Sequence, residues 1–262
     1  MYWIYDIPTW LLGILIGAFF LLVSLGGLGL SHGFIRKRLM LSNDTNNAVC
    51  GYIGGIGAIL GLLLGFVAVA TWQEFNNAAS LASREATEVG SLYLDVSGYP
   101  PPYGKNMQEI LRAYLTTVVN TEWPAQRRGE VVHDGLQHLH RLHHELFKFE
   151  PQTINQQVMQ TEAFHALNSV LSARRMRLDS VDNGLPAPLW WVVLIGSALS
   201  IFTTYFFHFP NFKVHLVLTG KFALFTGIMV FLIAAVDNPF RGEVSISPDL
   251  YRMMLESWSK NP

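Results

Sequence analysis

Apolar residues in this chain collect into four long blocks, and nearly all the charge lies between them. The blocks cover about 10–33, 50–72, 189–208 and 216–236. Each is about 20 residues long, enough for an α-helix to cross roughly 30 Å of hydrocarbon. The segment before the first block carries Asp6 and no Lys or Arg. It lacks the positive start of a signal peptide, so the block is expected to remain as a span. A polar link with Ser42, Asn43, Asp44, Asn46 and Asn47 joins the first two blocks, and 208–215 joins the last two.

Between the pairs, 73–188 is patterned as helices. The first segment continues from the second span to about Asp95 with no proline, and three consecutive prolines at 100–102 then break it. Met107, Ile110, Leu111, Tyr114, Leu115 and Val118 recur at the spacing of a helix with one buried face. Pro124 is expected to end that helix. The next should run over about 126–149, with Val132, Leu136, Leu139, Leu142, Leu146 and Phe149 on one stripe, and a last one over about 153–182. No useful period-2 run occurs. The reading is an all-α membrane protein with four transmembrane helices in two hairpins and a helical extramembrane domain between them. Its parts are an N-terminal hairpin 1–72, the domain 73–188, a C-terminal hairpin 189–236 and a tail 237–262. Leu250, Met253, Met254 and Trp258 give the tail an apolar side, expected to dock on the central domain or on a neighbouring subunit.

Paired spans put the N-terminus, central domain and C-terminus on one side of the membrane. Trp10, Trp72, Trp190 and Trp191 stand where the helices meet that side, as an interfacial belt would. Charge divides over which side it is. Arg36-Lys37-Arg38 abuts the first span and leans towards a periplasmic central domain, because the first helix usually dominates. Arg174, Arg175, Arg177 and Arg241 pull the other way.

Composition narrows the function. Net charge is −1 with no basic run, which removes nucleic acid as a partner. The only cysteine, Cys50, excludes an intrachain disulfide and a cysteine metal site. There is no phosphate-binding loop, dinucleotide fingerprint, zinc-protease helix or nucleophile elbow. An enzyme is therefore not expected, and no cofactor is implied. The middles of the spans hold no charge, with Lys221 nearest, which argues against a proton-coupled pump and leaves a passive pore open.

Three groups of residues carry the remaining chemistry. In the second span, Gly51, Gly55, Gly57, Gly61 and Gly65 offer small faces for helix packing. Leu62, Phe66 and Val69 in the same span are candidates for an apolar pore neck, on a face opposite the glycines. Arg174, Arg175 and Arg177 are either vestibule charges or partners of carboxylates such as Glu85 and Glu88 or of lipid headgroups. His133, His140 and His144 would share one polar face of the 126–149 helix. About 10 Å separates His133 from His140, too far for one metal. This leaves pH sensing, a metal shared by His140 and His144, or an ordinary solvated face.

Several segments together resemble the bestrophin-like family of bacterial integral membrane proteins. They are 65–72 with Gln73-Glu74-Phe75, Arg84-Glu85-Ala86, Glu122-Trp123-Pro124, Ala173-Arg174-Arg175-Met176-Arg177 with Gly184-Leu185-Pro186, and Asp237-Asn238-Pro239-Phe240-Arg241-Gly242. The resemblance implies a multi-pass protein of the bacterial inner membrane, with the bilayer and further copies of itself as partners. It also implies an oligomeric ion channel whose second span lines the pore neck, and it places the central domain in the cytoplasm, against the first-helix charge. Asn238-Pro239-Phe240 is similar to the opening of the bestrophin calcium clasp. The acidic run that completes that clasp is missing, so calcium is not carried over. The family turn is Asp237, Pro239, Phe240 and Gly242. The alternative function is a non-conducting accessory or scaffold subunit of a membrane complex, packed through the glycine faces.

Overall fold

A computed structural model describes residues 3–39 and 43–260, and within them all regular structure is helical. The helices are α1 (Thr9–Leu39), α2 (Asn43–Ser97), α3 (Tyr103–Thr117), α4 (Trp123–Arg127), α5 (Asp134–Lys148), α6 (Ile154–Asp179), α7 (Ala187–Thr204), α8 (Phe212–Val236) and α9 (Asp249–Lys260). Four stretches are long and apolar enough to cross a membrane: Thr9–Ser31, Thr45–Ser97, Ile154–Thr204 and Phe212–Val236. Of the first polar link, Ser42 lies outside the described residues, as do the side chains of Asn43, Asp44, Arg36 and Lys37.

The chain divides into two compact units. The membrane unit comprises 1–73, 184–237 and 242–244, and the second comprises 74–183, 238–241 and 245–262. In the membrane unit α1 packs chiefly on α8, a partner distant in sequence, and α7 packs on α8. Glycine makes the α1–α8 approach possible. A β-carbon on Gly13 would meet Phe231 at 3.3 Å, and one on Gly227 would meet Phe20 at 3.2 Å. Gly17 faces Leu224, while Gly220 faces Leu21 and Leu25. The partner numbers fall as α1 advances, so the two helices run antiparallel. These glycines, not those of the second span, are the ones at the α1–α8 approach.

In the second unit, α3 buries Met107, Ile110, Leu111, Tyr114 and Leu115, the face its periodicity marks. The expected end at Pro124 does not occur. A π-helical turn at Val118–Glu122 leads straight into α4, whose first turn accommodates the proline. The wider π turn, in which the Trp123 amide bonds the Val118 carbonyl five residues back, loosens the helix where a proline would disrupt regular α-helix. The expected 126–149 helix is instead two helices. Gly129 adopts φ 77° between α4 and α5, a conformation glycine takes without steric cost. The Arg241 side chain packs so close that a β-carbon on Gly129 would overlap its guanidinium. The Thr153 hydroxyl caps α6 by accepting from the Gln156 amide at 3.2 Å. As expected for an amphipathic tail, α9 docks on this unit. Trp258 stacks on Tyr93 at 3.7 Å, and Arg112 donates to both the Tyr93 hydroxyl and the Trp258 carbonyl.

Candidate functional site

The second span carries its neck candidates on its outward side. Leu60, Leu64 and Val67 face the interior of the membrane unit and are buried. Leu62, Phe66 and Val69 lie on the other side, 61%, 66% and 55% exposed. At 100° per residue, Gly51, Gly55 and Gly65 point the same way, Gly61 lies on a flank and Gly57 turns about 140° from Leu62, towards the buried side. Most of these glycines therefore do not stand opposite the neck candidates; only Gly57 leans to the side where Leu60, Leu64 and Val67 pack within the chain. A β-carbon added at any of Gly51, Gly55, Gly57, Gly61 or Gly65 would meet nothing within 4 Å. Between α2 and α7 runs an apolar groove of about 850 Å³, lined among others by Tyr52, Ile56, Leu63, Val192, Gly196 and Phe206.

The second unit is built around a buried, charge-balanced cluster. Glu122 ends the π-helical turn and accepts both Arg174 η-nitrogens at 2.7 Å, the Gly135 amide at 2.8 Å and Arg177 Nη2 at 3.3 Å. Arg177 also donates through Nε and Nη2 to Glu85, which accepts the Tyr114 hydroxyl as well. Arg177 lies over the Trp123 ring at 5.5 Å and Arg174 over the Tyr114 ring at 5.7 Å. Burial alone would raise the Glu122 carboxyl. Hydrogen bonds and charge from Arg174, then the charge of Arg177 and the Gly135 amide, outweigh it and hold the group below its ordinary value. Burial would lower the Arg177 guanidinium, but the Glu85 charge beside it keeps it well above its usual range. Burial and the Glu85 charge push the Tyr114 and Tyr251 phenols up, so both stay neutral donors.

This geometry corrects the vestibule reading of the arginines. Arg174 and Arg177 are buried and neutralised by Glu122 and Glu85, and only Arg175 is exposed. The expected pairing with Glu85 is made by Arg177, whereas Glu88 sits 3.8 Å from Arg84. Glu122 was missed as a partner. Its marks in the sequence are its place in the family-like segment Glu122-Trp123-Pro124 and an acidic residue between the apolar Val118-Val119 and Trp123. Gly135 was missed too, and a β-carbon there would press on Glu122 and Tyr114.

The histidines are not brought together. His133 precedes α5 instead of lying on it, so the three do not share one helical face; all three are exposed. Among the described residues no group of three or more His, Cys, Asp or Glu could hold a metal ion.

The family turn contributes to each unit separately. In the membrane unit, Asp237 Oδ1 accepts the Leu185 amide at 2.5 Å, and Oδ2 accepts the Tyr5 hydroxyl at 3.3 Å. Burial raises its carboxyl, opposed by the Leu185 amide, Trp190 and Tyr5. Gly242 takes φ 81°. In the second unit, Phe240 is fully buried and meets Trp123 edge to face, and Arg241 sits 3.6 Å from Asp182. The Pro239 carbonyl accepts the Ile246 amide at 2.9 Å.

Described residues whose regular structure is all helical, four helices long and apolar enough to cross a membrane, and a buried charge-balanced cluster define the class. The Bestrophin-like domain model matches residues 18–251, so the chain belongs to the bestrophin-like family of membrane proteins. Solved structures with the same fold include a bacterial bestrophin homologue from Klebsiella pneumoniae carrying one substitution. It is 12% identical, with 94% of this chain and 98% of that one aligned at a TM-score of 0.68. A second structure of a Klebsiella pneumoniae bestrophin homologue is 11% identical over 93% and 95% of the two chains, TM-score 0.67. A variant described only as a membrane protein is 12% identical over 94% and 96%, TM-score 0.66. No curated protein matches in sequence.

Proposed function

We propose that this protein is a homo-oligomeric, passive ion channel of the bacterial inner membrane, with the outward face of α2 lining an apolar neck. The observation that carries the reading is that face itself. Leu62, Phe66 and Val69 project away from the packed interior, on a helix whose buried side is already occupied. Membership of the bestrophin-like family supports it, as does the resemblance to channels that line their neck with the second span. A ring of copies would bring these side chains around a common axis, where apolar constrictions gate by dewetting. The neck needs no fixed charge, and Arg175 is the one arginine of its cluster free to act on a permeating ion. The Arg36-Lys37-Arg38 cluster supports a periplasmic side for the termini and the second unit. An impermeant thiol reagent applied to intact cells carrying Ser259→Cys in a Cys50→Ser background reads that side directly.

The functional test is ion flux from liposomes holding the purified protein alone, under parallel chloride and potassium gradients. Flux that Phe66→Ala or Leu62→Ala changes several-fold is the expected result. A folded, inserted oligomer that passes neither ion at acid or neutral pH refutes the channel reading. Stoichiometric co-purification with another membrane protein would then favour the scaffold reading.

A further inference from the structure

Most hydroxyls in the membrane unit satisfy themselves on their own helix. Thr71 donates to the Val67 carbonyl, Ser197 to Val193, Thr204 to Ile201 and Thr226 to Phe222, all at 2.6–2.9 Å. Three do not. Ser24, Ser200 and Thr219 are 0%, 3% and 2% exposed, and their hydroxyl oxygens have no hydrogen-bond partner in the chain. In hydrocarbon an unsatisfied hydroxyl is costly, and a small polar ligand usually relieves it.

Helix register brings these three to one level. His215 Nε2 on α8 lies 2.8 Å from the Thr204 carbonyl oxygen on α7. One turn further along each antiparallel helix, Thr219 comes opposite Ser200. On the α1–α8 side, Gly220 faces Leu21 and Leu25, which puts Ser24 beside the same turn of α8. The hydroxyl of Tyr205, the residue that follows α7, reaches across to donate to the Ser24 carbonyl at 2.7 Å. Register thus sets three orphan hydroxyls, on three helices, at about one level of the bundle, and Ser200 also lines the groove between α2 and α7.

We infer that Ser24, Ser200 and Thr219 form an internal hydration site that ties α1, α7 and α8 together through bound water. A cation fits less well, because no carboxylate accompanies the hydroxyls. The site involves none of the neck residues, so it stands whether or not the protein conducts.

Two measurements on the intact purified protein test it. The first is the melting temperature of Ser200→Ala, Thr219→Val and their double variant. Shared water predicts that each single change lowers it by about 3–8 °C, and that the pair loses clearly less than the sum. A rise in either single variant means the hydroxyl was an unrelieved burden, and strict additivity means the two do not share a ligand. Either result overturns the site. The second is X-ray radiolytic labelling of the unsubstituted protein, read by mass spectrometry. Fast hydroxyl-radical labelling at the buried Tyr205, next to the site, is expected from trapped water. Its absence overturns the site even where the variants fail to fold.

Discussion

Replacing Glu122 with glutamine keeps the shape of the side chain and removes its charge. In the native cluster this carboxylate accepts four donors: two from Arg174, one from Arg177 and the Gly135 amide. The substituted side chain would keep one acceptor oxygen and put an amide nitrogen where a second guanidinium donor already points. Two buried arginines would then face one carboxylate, Glu85. Breaking a buried pair by removing one partner costs about 3–5 kcal/mol. At about 3–5 °C per kcal/mol for a domain of this size, the melting temperature should fall by about 10–20 °C. Arg174→Met in the same chain removes the uncompensated charge and should restore much of the loss, since well-packed apolar replacement of a whole pair is often close to neutral. The assay is thermal unfolding of the detergent-purified protein at one fixed scan rate, because such transitions are often kinetically controlled. A drop under about 3 °C for Glu122→Gln, or a double variant no better than the single, would refute the assignment of this cluster as the core of the unit. The pH dependence follows from the same group. Its folded carboxyl is held below the ordinary value of 4.5, so its contribution is complete above that value and is lost as pH falls through the lower, folded one. Glu122→Gln should abolish that part of the acid sensitivity and leave the melting temperature flatter below pH 4.5.

Other substitutions probe features the fold depends on. Gly129→Ala combines a left-handed backbone with overlap on the Arg241 guanidinium, and should cost at least about 1–3 kcal/mol in thermal unfolding; a neutral result would mean the turn rearranges freely. Gly227→Leu should prevent recovery of folded protein, because α1 cannot move away from α8 cheaply. Gly55→Leu should leave the single chain folded and change its elution size, since nothing in the chain occupies that space. Asp237→Ala should destabilise by about 1–3 kcal/mol by leaving the Leu185 amide unpaired, while Asp237→Asn, which keeps an acceptor, should lose less; equal losses would show that the hydrogen bond is not what matters.

The chain's own pattern determined that its regular structure is helical, where the four long apolar helices lie and which face of α3 is buried, though not every helix boundary. These are local consequences: hydrocarbon demands a closed backbone ladder over about 20 apolar residues, and a helix buries what recurs every three to four positions. The same pattern marked Arg174 and Arg177 as unusual without deciding their role, because a dense positive run looks the same on a surface as in a core. Only tertiary structure settled that, by placing Glu85 and Glu122, from 92 and 52 residues away, against them. Glycine shows the same division. Spacing identified Gly51, Gly55, Gly57, Gly61 and Gly65 as small faces, yet the glycines at the α1–α8 approach are Gly13, Gly17, Gly220 and Gly227. Periodicity tells which residues share a side of one helix. Which helix comes to lie against that side depends on the packing of segments far apart in the chain, as it does for α1 and α8.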